Sequence, residues 1–385
     1  FLSLSDLGIG SNLITTLSHL VGGRQYDEAA RVQTNGYAVV GLMSLGLLIF
    51  SLVLFRIGIG AQFFPKSNES LQSEASHAIA VLVLMFAVTT PLMLANKIQF
   101  AFNRGHLANL WQVGAAVLNF LFAYLAARMG MSIAAIVASL YIGSVICGTV
   151  NTLQYVSASY AAKPRLSLVS VNSWKPLLTG SSFYLAMQLV YLITFGLDSV
   201  LIARGLGAVD SAKYGLADRF FGIVGIGITI VTTPLWALYG NAYGAGQHDL
   251  AFRTLKKWTT RIVASAFFVT LVIVVFANYF IVFVSSGSLL LPKGLALSMG
   301  IWRIIESIGL SVSVYLYTIR RVRFLLAVCI INAFVTFVLK LTLLPALGMN
   351  SLPLITASCY SIICLLPCCL IIKSFRSACL PIAPS

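Results

Sequence analysis

Apolar residues along this chain gather into long uninterrupted runs separated by short polar gaps. The runs lie at Phe1 to Val21, Tyr37 to Phe55, Ile79 to Asn96, Leu107 to Ala127, Met131 to Gln154, Phe183 to Ala203, Tyr214 to Leu238, Ile262 to Val284, Leu295 to Tyr317, Phe324 to Ala346 and Leu352 to Ile372. A helix needs about 17–25 such residues to cross ~30 Å of hydrocarbon, so the pattern predicts an all-α integral membrane protein with eleven spanning helices. The first run reads as the tail of a helix whose start lies upstream, and a twelfth helix there would complete a six-plus-six arrangement. Pro91, Pro234, Pro345 and Pro367 fall inside apolar runs, where each removes a backbone hydrogen bond and favours a bend.

The polar gaps carry an internal repeat. Gln25, Asp27, Ala29 and Arg31 match Gln247, Asp249, Ala251 and Arg253 at a constant offset of 222 residues. Both copies follow an apolar run and run in the same direction, which predicts two lobes related by an axis along the membrane normal. The boundaries expected are an N-terminal lobe over residues 1–154, a polar cytoplasmic linker over 155–176 and a C-terminal lobe over 177–385. The segments Arg24 to Gln33 and His248 to Trp258 are amphipathic and are expected to lie flat on the membrane surface.

Composition and charge fix the class and the orientation. Hydrophobic residues make up 59% of the chain and charged residues 9%, against ~45–50% and ~25% in soluble domains. The net charge of +15 would point to nucleic acid in a soluble protein. Here the basic residues sit in the gaps, sixteen on one side of the alternating loops against six on the other. By the positive-inside rule the richer side is cytoplasmic, with anionic membrane lipids as partners and nucleic acid excluded. The seven cysteines lie mostly in apolar runs without metal spacing and read as small buried hydrophobes.

The order and spacing of several motifs resemble the oligosaccharide flippases of bacterial polysaccharide export. These are Ser5-Asp6-Leu7-Gly8-Ile9-Gly10 before Gly23-Arg24-Gln25; Leu197-Asp198-Ser199-Val200-Leu201-Ile202 with Leu206-Gly207 and Tyr214; and Thr233-Pro234-Leu235-Trp236 before Gly246-Gln247. These O-antigen type translocases share a fold with the multidrug and toxin extrusion (MATE) transporters. The resemblance implies a two-lobed MATE-like bundle of 11–12 helices in the bacterial inner membrane. It implies alternating access through a cationic cavity that moves an undecaprenyl-pyrophosphate-linked sugar unit to the periplasmic leaflet. Coupling to a proton or sodium gradient is expected, no cofactor is, and the polysaccharide polymerase and chain-length machinery are the expected protein partners.

Charged residues inside apolar runs are costly and face a cavity or a partner, so they are the candidate chemistry. Arg303, Arg219 and Lys340 are the candidate pyrophosphate ligands, because a permanent cation, and above all the guanidinium fork, suits phosphate oxygens. Asp198, Glu306, Asp218 and Asp6 are the candidate ion-coupling carboxylates. Arg303 and Glu306 share one helix face at i, i+3, which also allows a purely structural ion pair, and Asp198 near Arg204 allows another.

Other chemistries fit less well. The chain has no G-x-x-x-x-G-K-[ST] phosphate loop. Its longest extracytoplasmic loop, Arg56 to His77, holds only Glu69 and Glu74 as acids, which argues against a polysaccharide polymerase and against an enzyme in general. A multidrug or small-solute antiporter of the same fold is the remaining alternative.

Overall fold

The structure is a computed structural model that describes residues 7–58, 69–157, 162–287 and 290–379. Among the described residues it is helical throughout, without strands. The helices are α1 (Ile9–Gly22), α2 (Tyr26–Ile57), α3 (Glu69–Ala101), α4 (Gly105–Arg128), α5 (Ile133–Ser157), α6 (Trp174–Gly196), α7 (Asp198–Gly205), α8 (Ala208–Gly244), α9 (His248–Val284), α10 (Lys293–Thr318) and α11 (Val322–Leu347). The last, α12, starts as Ser351–Cys359, widens through a π-helical turn at Tyr360–Leu365 and continues as Leu366–Cys379. Pro367 lies one residue beyond that turn and leaves the Ile363 carbonyl without its i+4 donor.

Ten segments among the described residues are long and apolar enough to cross a membrane, with α6 and α7 counted as one. Together with the 14 described residues of α1 they correspond to the eleven predicted runs, and the chain is a multi-pass membrane protein. The surface helices expected at Arg24 to Gln33 and His248 to Trp258 are absent as separate elements. Those residues form the first turns of α2 and α9, of 32 and 37 residues. At 1.5 Å per residue each helix runs roughly 48–56 Å, well beyond the hydrocarbon thickness, so its polar first turns emerge on one side without a break. Asp27 and Glu28 in α2 and Asp249 in α9 occupy first turns, where the helix dipole favours acids.

The internal repeat is visible in the backbone. After α1, Gly23, Arg24 and Gln25 donate to the carbonyls of His19, Val21 and Leu20; after α8, Ala245, Gly246 and Gln247 donate to Asn241, Tyr243 and Ala242. Every donor and acceptor is displaced by the same 222 residues. The pattern is a Schellman close, whose hinge residue must take the left-handed region: Arg24 at φ 57 and Gly246 at φ 75. The same close recurs at Asn103, between α3 and α4, and at Arg320, between α10 and α11, both at φ 57. It recurs also at Gly130, φ 64, and Ser286, φ 49, so the same close ends helices on both sides of the alternating loops.

The chain divides into two compact units, Phe1–Ser182 and Phe183–Ser385, with the division inside α6. In the first unit Ile9, Leu13 and Leu17 of α1 pack with Val39 and Val40 of α2 and with Leu94 and Ile98 of α3. There α4 and α5 approach closely: a Cβ on Gly143 would lie 2.7 Å from the Ala115 carbonyl oxygen. Residues 162–173 form a strap with two 3-10 turns before α6. In the second unit α9 shows the division of labour of a membrane helix. Its buried stripe of Ala266, Thr270, Ile273, Ala277 and Ile281 is mostly small, and its exposed stripe of Phe268, Leu271, Val272, Val275, Tyr279 and Phe283 is large and apolar, as packing inside and lipid outside require.

Candidate functional site

The second unit holds two buried ion clusters. The first arises where a helix is broken. The predicted run Phe183 to Ala203 is not one helix, because α6 stops at Gly196 and Asp198 opens the short helix α7. A break inside a span leaves backbone carbonyls without intrahelical donors, and Lys340 of α11 fills the gap. Its Nζ donates to Asp198 Oδ1 at 2.6 Å and to the Thr194 carbonyl at 3.3 Å. The Tyr214 hydroxyl donates to the other carboxylate oxygen at 2.9 Å. Lys340 is 1% exposed and Asp198 4%, so each charge persists only because the other is present. Arg204, the expected partner of Asp198, does not pair with it; Lys340 takes that place.

The second cluster centres on Arg303 of α10. One terminal nitrogen donates to Glu306 Oε2 at 2.7 Å, the i, i+3 pair expected from the sequence, and the other donates to Asp218 Oδ1 of α8, also at 2.7 Å. Tyr191 of α6 donates to Glu306 Oε1 at 3.3 Å. The guanidinium is therefore held between carboxylates of two helices, and its buried Nε has no hydrogen-bond partner among the described residues. Arg303 and Glu306 are buried, whereas the Asp218 side chain is 58% exposed. That makes Asp218 the member of the cluster open to exchange with water or solute.

A cavity of about 20 Å³, lined by Asp198, Tyr214, Asp218 and Arg303 with Phe195, Trp302 and Met299, joins the two clusters. This is enough for a single water-sized occupant. Trp302 stacks on Phe195 at 5.3 Å between ring centroids and meets Tyr360 of the π-turn edge to face at 5.6 Å. Gly309 makes room for Tyr360: a Cβ there would lie 2.2 Å from the phenol oxygen. The five charged groups sum to one net negative charge, three carboxylates against two cations.

Of the residues singled out in the sequence, Arg303, Asp218 and Asp198 line this cavity, and Glu306 and Lys340 pair with them. Arg219 follows Asp218 in the chain but is exposed and forms no ion pair among the described residues. Asp6 lies outside the described residues. Tyr191, Thr194 and Tyr214 were not singled out as site residues. Tyr214 stands in one of the resemblance motifs, and its signal is a lone hydroxyl 16 residues after a buried acid; Thr194 acts through its backbone and leaves no side-chain signal.

No family model matches the chain. A Salmonella typhi protein named "Putative O-antigen transporter" is 25% identical over 241 residues, which is 61% of this chain. The match spans about half of that relative's length, 53%. Among solved structures, a mutant of a MATE transporter superposes with a TM-score of 0.81 at 15% identity over 98% of this chain and 86% of its own. An outward-facing multidrug resistance MATE family transporter of the MOP superfamily gives 0.75 at 15% over 97% and 85%. A mutant MATE transporter of Vibrio cholerae gives 0.79 at 16% over 98% and 86%. The chain has the two-lobed fold of the MATE transporters and is similar in sequence to an O-antigen transporter, as its motifs led one to expect.

Proposed function

We propose that this chain is an inner-membrane flippase. It translocates undecaprenyl-pyrophosphate-linked oligosaccharide repeat units by alternating access, as a transporter and not an enzyme. The observation that carries this reading is the coincidence of a transporter fold with sequence similarity to an O-antigen transporter. The Arg303 cluster adds a means. A guanidinium held by two carboxylates and keeping one free N–H can trade Asp218, its exposed partner, for a phosphate oxygen. A ligand that takes over a contact made in one conformation only biases the equilibrium between conformations. The polysaccharide polymerase and chain-length machinery are the protein partners this reading implies.

The second reading, a small-solute antiporter, draws on the net negative charge of the clusters, which suits a cationic solute or a coupling proton or sodium ion at Asp198 or Glu306. The test is complementation of a strain lacking the gene. Loss should cause a lipid-linked repeat unit to accumulate on the cytoplasmic leaflet. Arg303→Ala should fail to relieve it while remaining in the membrane at normal levels, and Arg303→Lys should relieve it in part because the bidentate fork is gone. Full relief by Arg303→Ala would remove this residue from the transport path. Absence of any accumulated unit in the deletion, together with loss of organic-cation efflux, would favour the antiporter.

A further inference from the structure

The first unit carries a second candidate site of its own. The first turns of α2 and the strap 162–173 enclose a cavity of about 180 Å³, bordered by Tyr26, Asp27, Arg31, Lys163, Arg165 and Leu168. That is many times the ~10–15 Å³ a single water needs. The cavity has built walls, because buried side chains of α2 hold the strap in place. The Thr34 hydroxyl accepts from the Arg165 amide at 3.0 Å. The Asn35 amide donates to the Leu168 carbonyl at 3.1 Å, and its oxygen accepts from the Ser170 amide at 2.9 Å and the Trp174 indole at 3.1 Å.

Three of the bordering side chains are cations and one is an acid. Lys163 and Arg165 form no ion pair among the described residues, and Arg31 reaches Glu28 only at 3.8 Å. The repeat sharpens the point. In the second unit the equivalent residues Asp249 and Arg253 form a close ion pair; in the first, Asp27 and Arg31 do not pair, and both face the cavity. The arrangement thus holds two uncompensated positive charges at the face where the loop charges place anionic headgroups.

We propose that this cavity binds a phosphate ester anion, with the phosphodiester of an anionic membrane lipid such as phosphatidylglycerol as its source. Arg31, Lys163 and Arg165 take the phosphate oxygens, and the Arg forks offer paired donors. Asp27 accepts from headgroup hydroxyls, and Tyr26 and Leu168 cover the glycerol carbons. A lipid held there ties the strap to the start of α2. This site stands independently of the solute that the protein transports.

The test uses the full chain, purified in detergent and exchanged into phosphatidylcholine with or without phosphatidylglycerol, with retained lipid counted by native mass spectrometry. The double variant Lys163→Ala/Arg165→Ala is compared with Lys256→Ala/Lys257→Ala, which removes the same charge from exposed positions on α9. The wild type and the α9 variant should retain phosphatidylglycerol, and the strap variant should retain it roughly 25-fold less, since each basic contact to an anionic surface is worth about fivefold. Melting in phosphatidylcholine alone should be equal for all three, which separates lost binding from lost folding. A parallel arm with inorganic phosphate identifies the source: displacement of the lipid, or a rise in melting temperature that the strap variant lacks, assigns the cavity to soluble phosphate as well. Equal retention by both variants, with no effect of inorganic phosphate, would overturn the site and leave only diffuse attraction to the membrane surface.

Discussion

Among the described residues of the first unit the buried polar groups are amides and hydroxyls: Asn151 donates to Asn96 at 2.6 Å, Gln99 donates to Asn151 at 2.6 Å, and Tyr155 donates to Gln33 at 2.5 Å. In the second unit full charges are buried, Lys340 with Asp198 and Arg303 with Asp218 and Glu306. The turns that close corresponding helices share their hydrogen bonding, so the contrast lies in what the helices bury between those turns. Neutral hydrogen bonds hold helices together without responding to ions. Charge pairs hold helices together only while both partners stay charged and together, so the packing of the second unit depends on charge in a way that the amide network of the first does not.

That contrast predicts unequal costs for unequal breakage. The largest effect is expected at Asp198→Ala, which leaves the Lys340 ammonium buried alone. A loss of about 3–5 kcal/mol is typical for breaking one partner of such a pair, and it should appear as a large drop in melting temperature of the purified protein. The double variant Asp198→Asn/Lys340→Met should recover much of it, because no uncompensated charge remains. If the single variant melts like the wild type, the two charges are not coupled and the contrast between the units fails.

A smaller cost is expected in the first unit. Asn151→Ala strands the amides of Asn96 and Gln99 but no charge, so a loss of about 1–3 kcal/mol is expected, and its melting temperature should not depend on added sodium. A sodium dependence appearing in this variant would give the first unit an ion response that its chemistry does not predict.

How far the sequence revealed this arrangement depended on the kind of signal. The spanning runs and the repeat were legible because hydropathy and a constant offset are properties of the chain itself. Arg303 with Glu306 was legible because i, i+3 spacing on a helix fixes proximity. The pairing of Lys340 with Asp198 was not, since 142 residues separate them and only packing brings α7 and α11 together. The break at Leu197 was hidden because the run Phe183 to Ala203 is mostly apolar and holds no proline. The long emergence of α2 and α9 was misread as separate surface helices because amphipathic character near a membrane fits either geometry, and only the three-residue turns decide between them.

The smallest expected effect concerns one of those turns. Gly246 takes its left-handed conformation freely, whereas Arg24 takes the same conformation at a cost of about 1 kcal/mol. Arg24→Gly should therefore raise the melting temperature slightly; an unchanged or lower value would mean that the arginine side chain stabilises the turn. The same substitution deletes a charge from the one point of a helical hairpin that cannot slide toward either leaflet. Loop charges set which way each hairpin enters the membrane as the chain is made, so a charge locked into the turn acts as a fixed signpost during insertion. With Arg24 and Arg320 at these hinges, the chain trades a little stability in the finished protein for a clear sense of direction while it is being built.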